Sequence, residues 1–284
     1  MNSSPRCGPR LSMWKPCAAL PAANAPAKGG KSMPKAAKLP PALYHAHHGA
    51  FAEDLSFWKG LAAESGGAVL TLGCGTGRVA VPIAAAGIPT VGVDWDAGML
   101  NFLRRRLAPR GEGLPLRLVQ ADFRALPLRA AAFPLAVLPC NTYTTVPPRE
   151  RRTFLQGVAR VLRPGGLFAF SAPNPRLVAS LPPVGEAEPE TAFPHPKNGL
   201  PVQVSSGWHR MEERWRVFWH YDTLHPDGTA TRQTASQTHW LPPLEAELAR
   251  LKAAGLHPLA QYGDFDKTPP AADAPYWIVI ARRL

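Results

Sequence analysis

The string Val69-Leu70-Thr71-Leu72-Gly73-Cys74-Gly75-Thr76-Gly77-Arg78 constrains this 284-residue chain more than any other. A short apolar run meets three glycines at alternate positions, and the small residues from 77 to 86 then predict a helix. Glycine adopts positive φ without a Cβ clash, so a strand ending this way can turn sharply. The same glycines let a ligand lie against the backbone, where the first N–H groups of a helix are free to bind it. A dinucleotide fingerprint would require a glycine at position 78, where Arg78 stands, so the spacing departs from that pattern.

The rest of the body repeats the alternation. Residues 68–72, 89–94, 116–120, 133–138 and 167–171 read as apolar strands. Asp96 is placed to cap a helix whose Met99, Phe102, Leu103 and Leu107 share one face. After Pro148, the residues Phe154, Leu155, Val158, Val161 and Leu162 line one face of another helix, which should stop before Pro164-Gly165-Gly166. A helix over 245–254 and strands over 256–262 and 277–281 close the chain. Strands alternating with helices predict an α/β, doubly wound sheet that binds its ligand at the carboxyl ends of the strands. The 33 prolines exclude a helical bundle, because proline removes interior helix hydrogen bonds.

Two segments break the rhythm. Residues 1–40 are rich in Pro, Ala, Gly, Ser and Lys and predict a disordered basic tail, dispensable for folding. Starts at Met13 or Met33 also remain open. Residues 173–201 read as a long Pro-rich loop, and 214–224 and 229–240 as a hairpin turning at His225-Pro226-Asp227-Gly228. The expected organisation is thus a tail (1–40), a cofactor-binding core (41–175), a loop and antiparallel β insertion (176–241), and a return to the core (242–284). In 214–224, Trp215, Val217, Trp219 and Tyr221 alternate with Arg216, Phe218 and His220. One face should pack on the body and the other should roof the cleft, which makes His220 or His239 a candidate proton acceptor.

The net charge of +12 resembles a nucleic-acid signature until it is located. Seven Lys and Arg and no Asp or Glu precede residue 44, which leaves a mild excess on the body. Four scattered cysteines fit neither a disulfide framework nor a zinc ribbon, and they point to a reducing, cytoplasmic setting. The longest uncharged apolar stretch, 131–148, contains four prolines and predicts no membrane span. His45, His47 and His48 have no nearby Cys or carboxylate to complete a site, so no metal is expected.

Four motifs in register resemble the class I S-adenosylmethionine-dependent methyltransferases of the small-molecule type. They are Leu72–Arg78, Val91-Gly92-Val93-Asp94-Trp95-Asp96-Ala97-Gly98-Met99-Leu100, Gln120-Ala121-Asp122-Phe123 and Val161-Leu162-Arg163-Pro164-Gly165-Gly166. The resemblance covers nearly the whole chain from Tyr44 onward. It implies a Rossmann-like seven-stranded sheet whose last strand runs antiparallel, with S-adenosyl-L-methionine as cofactor. It also implies that Gly73, Cys74, Gly75, Thr76 and Gly77 contact the amino-acid end of the cofactor. Asp94 would bind the ribose hydroxyls, with Trp95 and Met99 beside it. Ala121, Asp122 and Phe123 would meet the adenine, with Asp122 on its amino group.

The segment Leu138-Pro139-Cys140-Asn141-Thr142-Tyr143 corresponds to the family's methyl-facing strand end, making Asn141 and Tyr143 catalytic candidates and Cys140 a cofactor contact. Tyr44, Phe57 and Trp58 correspond to lid residues. A sulfonium already activates the methyl group, so positioning and exclusion of water are the main tasks. The expected function is methyl transfer by in-line displacement to a nitrogen or oxygen of a small molecule. The strand-end segment lacks the Asn/Asp-Pro-Pro-aromatic motif, which weighs against a nucleic-acid acceptor. A methyltransferase acting on protein or nucleic acid and a cofactor-binding protein without turnover remain alternatives, and oligomeric state and acceptor identity are open.

Overall fold

Helices α1 (Pro41–His48) and α2 (Leu55–Glu64) precede the sheet. The chain then runs through β1 (Val69–Leu72), α3 (Ala80–Ala85), β2 (Thr90–Asp94), α4 (Ala97–Leu107), β3 (Leu116–Gln120), β4 (Phe133–Leu138), α5 (Pro148–Val161) and β5 (Leu162–Pro173). This computed structural model describes residues 39–110 and 113–284. The expected tail lies outside the described residues except for Leu39 and Pro40. Leu39 is 2% exposed and packs with Leu43 and Tyr44, so the folded body reaches at least that far back.

After α6 (Pro175–Ser180) come four long strands, β6 (Val184–Pro194), β7 (Pro201–Met211), β8 (Arg214–Leu224) and β9 (Ala230–Trp240). Helix α7 (Leu244–Ala253), β10 (Leu256–Tyr262) and β11 (Tyr276–Arg283) complete the fold. The seven-stranded sheet has the order β10-β11-β5-β4-β1-β2-β3. β11 is antiparallel to both of its neighbours, and the pairings among β1 to β5 are all parallel. This is the expected Rossmann-like arrangement.

Both sheet faces are buried, as a parallel sheet requires. Leu70, Ala136, Phe168 and Trp277 turn to the side covered by α5 and α7, where Phe154, Val158 and Leu251 meet them. Val69, Leu135, Val137 and Ile278 turn to the side covered by α2 and α3. Fully burying side chains of this size contributes roughly 1.5–3 kcal/mol each. Helix α3 begins at Ala80 rather than at 77, because residues 77–79 complete the turn of the glycine loop. The expected turn at 164–166 is instead an irregularity within β5, where a Cβ on Gly166 would stand 2.8 Å from the Arg163 carbonyl.

The second sheet, β6-β7-β8-β9, corrects the expected loop and hairpin. The Pro-rich stretch contains β6, and the unassigned residues after it form β7. Its prolines are tolerated because β6 is an edge strand with register shifts around Gly185–Glu188 and Pro189–Thr191.

Candidate active site

The carboxyl ends of β1, β2 and β4 converge on the glycine loop. Gly73, Gly75 and Gly77 all have positive φ (60°, 53° and 85°). Nothing lies within 4 Å of where a Cβ on Gly75 would point, so the loop has open space there for a ligand to approach. Asp94 ends β2 and is 6% exposed. Its Oδ2 accepts from Gly75 N–H at 2.7 Å and its Oδ1 from Asp96 N–H at 2.9 Å. The carboxylate therefore ties strand end to loop and is fixed in place by backbone donors. Asp96 caps α4 as expected, accepting from Gly98 and Met99 N–H.

The neighbouring positions divide. Trp95 is 38% exposed, with its ring at the surface beside Asp94. Asp122, at the end of β3, is gripped by the Arg124 guanidinium at 2.8 and 2.9 Å, and those hydrogen bonds hold its carboxyl below the usual range. Ala121 N–H donates to the Asp94 carbonyl. Cys74 is buried, which pushes its thiol up, and its N–H is already given to the Val93 carbonyl at 3.0 Å. Its role is to pack the loop, not to supply a donor. The Phe123 ring turns into the core against Phe154, so only its backbone faces the cleft end of β3. Met99 packs with Leu43 and Tyr44 beneath the second sheet.

Helix α1 closes over the glycine loop. His45 Nδ1 lies 3.0 Å from Thr76 Oγ1, and the His45 ring packs on Phe102. Tyr44 is buried, and its hydroxyl pKa is raised by desolvation, with the Arg78 charge opposing and the Asp94 charge adding. Its hydroxyl therefore sits within electrostatic reach of both. Phe57 and Trp58 are not part of this lid. They pack on the far side of the main sheet with Phe265 and Tyr276, and Trp58 donates to Asp54. Asp54 in turn holds Arg78 in a buried two-pronged ion pair at 2.5 and 2.6 Å, which anchors the segment after α1 to the loop. Sequence reasoning missed this pair, since nothing local couples positions 54 and 78.

On the opposite wall, Cys140 and Asn141 both have positive φ (64° and 56°) at the end of β4. Consecutive non-glycine residues in this region store strain and cluster at functional sites. Arg78 donates to Cys140 Sγ at 3.0 Å. Asn141 is 4% exposed, and its Oδ1 has no hydrogen-bond partner. Tyr143, expected to be catalytic, points the other way. It stacks on Phe170 at 4.0 Å and donates to Glu247, which pairs with the buried Arg151. Burial and the Glu247 charge push its pKa up, so Tyr143 braces the turn from below.

The second sheet roofs the cleft with a single face. Trp215, Val217, Trp219 and Tyr221 are buried with α1, α6 and Met99. That face both packs on the body and covers the site. His220 lies on the other face, bonded to Thr234, and is removed from the candidate catalytic set by the strand's alternation. His239 on β9 takes its place in space. It pairs with Trp215 in register, is 1% exposed, and its Nδ1 meets Thr144 Oγ1 at 2.8 Å.

The fold and this loop agree with comparisons to known proteins. Residues 69–166 match the methyltransferase domain family. The ubiquinone/menaquinone biosynthesis C-methyltransferase UbiE of Syntrophotalea carbinolica is 36% identical over 43% of this chain and 51% of its own length. The sugar N-methyltransferase KedS8 from Streptoalloteichus superposes with a TM-score of 0.68 at 20% identity, over 92% of this chain and 98% of that one. The CcbJ methyltransferase from Streptomyces caelestis gives 0.66 at 23% identity, over 81% and 88%. The match to the methyltransferase domain family thus covers residues 69–166, and the solved methyltransferases share the fold of the whole body. It spans about half the length of the curated relatives it matches.

The solved structure of CalS10, an amino pentose methyltransferase from Micromonospora echinaspora, has S-adenosylmethionine bound and superposes with a TM-score of 0.63 at 19% identity, over 84% of this chain and 95% of that one. The residues present fit that cofactor: a positive-φ glycine loop with open space at Gly75, and beside it a fixed, buried carboxylate suited to a ribose diol. Among the described residues, no helix is long and apolar enough to cross a membrane.

Proposed function

We propose that the chain transfers the methyl group of S-adenosylmethionine to a nitrogen or oxygen nucleophile of a small molecule. The observation that carries this reading is the cleft's two-sided construction, with the cofactor loop on one wall and buried polar side chains of Asn141 and His239 on the other. When bound, the cofactor supplies a methyl group already activated on a sulfonium. Asp94 and the loop hold the ribose and amino-acid ends, and Trp95 and Asp122 border the adenine. Helix α1, through Tyr44 and His45, and the inner face of β8 and β9 exclude water. Positioning of this kind accounts for about 7–11 kcal/mol of a barrier in favourable intramolecular cases.

A buried acceptor wall favours a small molecule over a protein or nucleic-acid strand, which would need an open groove. The test is incubation of the protein with methyl-labelled cofactor and a metabolite extract, followed by mass spectrometry of whatever gains the label. A labelled small molecule is expected. Label appearing only in protein or nucleic acid overturns the acceptor class, and cofactor binding with no labelled product overturns turnover.

A further inference from the structure

Four side chains on the acceptor wall are buried with polar atoms that meet no partner. They are Asn141 Oδ1, Trp219 Nε1, both amide atoms of Gln237, and His239 Nε2, all at 4% exposure or less. Leaving a buried polar group unpaired costs about 1–3 kcal/mol, so four in one place call for an explanation. Strand geometry gathers three of them: Trp219 on β8 and Gln237 and His239 on β9 share the sheet face turned to the cleft. Hydrogen bonds join the fourth to this group. Thr144 donates its hydroxyl proton to the Asn141 backbone carbonyl at 2.8 Å, and the same hydroxyl oxygen lies 2.8 Å from His239 Nδ1.

That shared hydroxyl fixes the histidine. A threonine hydroxyl has one proton to donate, and here the Asn141 carbonyl receives it. Toward His239 the oxygen can only accept, so Nδ1 carries the ring proton and Nε2 presents a bare lone pair. Other histidines near the cleft are differently placed: His45 holds Thr76, His47 spans Tyr221 and Glu190 with its two ring nitrogens, and the buried His48 ring packs edge-on against Trp219. Beneath the turn the buried charges of Arg151 and Glu247 are paired with each other, and at the far end of the sheet Glu190 is held by His47.

Resting on the methyl-transfer reading, we propose that Asn141, Gln237 and His239 form the acceptor subsite, and that it takes a neutral amine whose N–H bonds to His239 Nε2. An alcohol must surrender its proton to a base. His239 is a poor one, because its Nδ1 partner is a neutral hydroxyl and burial holds its pKa down to about 3. A neutral amine needs no such base. Its lone pair forms the nitrogen–carbon bond while the carbon–sulfur bond breaks and its electron pair stays on sulfur. Positive charge grows on nitrogen, and the N–H···Nε2 bond becomes charge-assisted and stronger at that moment. The extra proton leaves the ammonium product in solvent after release. The uncharged lining also disfavours the protonated, non-nucleophilic form of the amine before reaction.

The first test needs no acceptor. Nitrogen-15-labelled protein saturated with S-adenosylhomocysteine should show a neutral His239 with its proton on Nδ1, both at about pH 7 and at about pH 5, in two-bond proton–nitrogen spectra. His239→Gln assigns the resonance. A proton on Nε2, or an imidazolium at the lower pH, overturns the proposal. The second test is the methylated atom in the extract experiment. An N-methyl product supports the subsite, and an O- or C-methyl product overturns it while leaving methyl transfer standing. No product at all removes both.

With the product known, His239→Leu should lower kcat roughly 10- to 100-fold, the worth of one hydrogen bond to a charged group. His239→Gln should restore much of it, with S-adenosylhomocysteine affinity within about twofold of wild type in both. If His239→Leu fails to fold, Thr144→Val serves instead, and it should mix the tautomers and lower kcat. Unchanged tautomer and kcat in Thr144→Val overturn the assignment.

Discussion

On the loop side of the cleft, Asp94 is engaged by the backbone N–H groups of Gly75 and Asp96, and the loop's own donors are spent on Val93, Asp94 and Cys74. On the roof side, Asn141, Gln237 and His239 end in buried atoms without partners. One wall is held in its final shape by the protein itself. The other stores hydrogen-bonding capacity that only a ligand can use. Affinity for the cofactor should therefore depend on keeping a scaffold intact, and affinity for the acceptor on matching polar groups one by one. Directly under the roof lies a third arrangement, the Arg151–Glu247–Tyr143 network, which is buried and paired internally.

The contrast can be broken by substitution, beginning with the largest effect. Glu247→Ala leaves the fully buried Arg151 charge without its carboxylate and should cost about 3–5 kcal/mol of stability in urea unfolding. A loss under about 1 kcal/mol would mean the network is not internally closed. Asp94→Ala should weaken S-adenosylmethionine binding by about 3 kcal/mol, roughly 100-fold by calorimetry, because two hydrogen bonds to a charged group and the loop tether disappear together. An unchanged dissociation constant would move the ribose site elsewhere.

Acid sharpens the roof side. His239 has a folded pKa near 3 against 6.5 unfolded, so below 6.5 the unfolded chain takes up a proton that the folded chain refuses. Stability attributable to this residue is complete above pH 6.5 and falls as pH drops toward 3. Wild type should thus lose about 2 kcal/mol more than His239→Gln between pH 7 and pH 5. Parallel acid profiles would place the ring in contact with water or a counter-charge.

Gln237→Leu replaces an orphaned amide by an apolar group of similar size. It should raise stability by about 1 kcal/mol in thermal unfolding, the opposite sign to Glu247→Ala. The smallest effect is expected at Asp122. Its carboxylate is half-exposed and held by Arg124, so Asp122→Asn should change cofactor affinity by at most about fivefold, or 1 kcal/mol. A loss equal to that of Asp94→Ala would give Asp122 the larger share of cofactor binding.

The main sheet was readable because each of its strands is a short apolar run between turn residues, and Asp96 announced α4 by its capping position. Strands β6 and β7 were hidden by Pro189, Pro194 and Pro201, which read as loop until pairing shows an edge strand with bulges. Alternation separated Trp219 from His220 correctly. It could not say which face meets the cleft, since both carry aromatic groups and the choice is made by α1, distant in sequence. Tyr143 and Phe123 sit at site positions in the chain yet turn their rings into the core, a direction that spacing does not encode. His239 was already a candidate beside His220, but Gln237 gave no sign of a role. The available signal was their register opposite Val217 and Trp215, which puts them on the buried face.

On the proposed function, the two walls face each other across one reacting centre. A crystal structure with S-adenosylhomocysteine tests it most directly. The expected result has the ribose hydroxyls on Asp94, the amino-acid end against the glycine loop, and the sulfur turned toward Asn141 and His239 beneath the second sheet. A nucleoside bound away from Asp94, or a sulfur directed away from the Asn141–His239 wall, would contradict it.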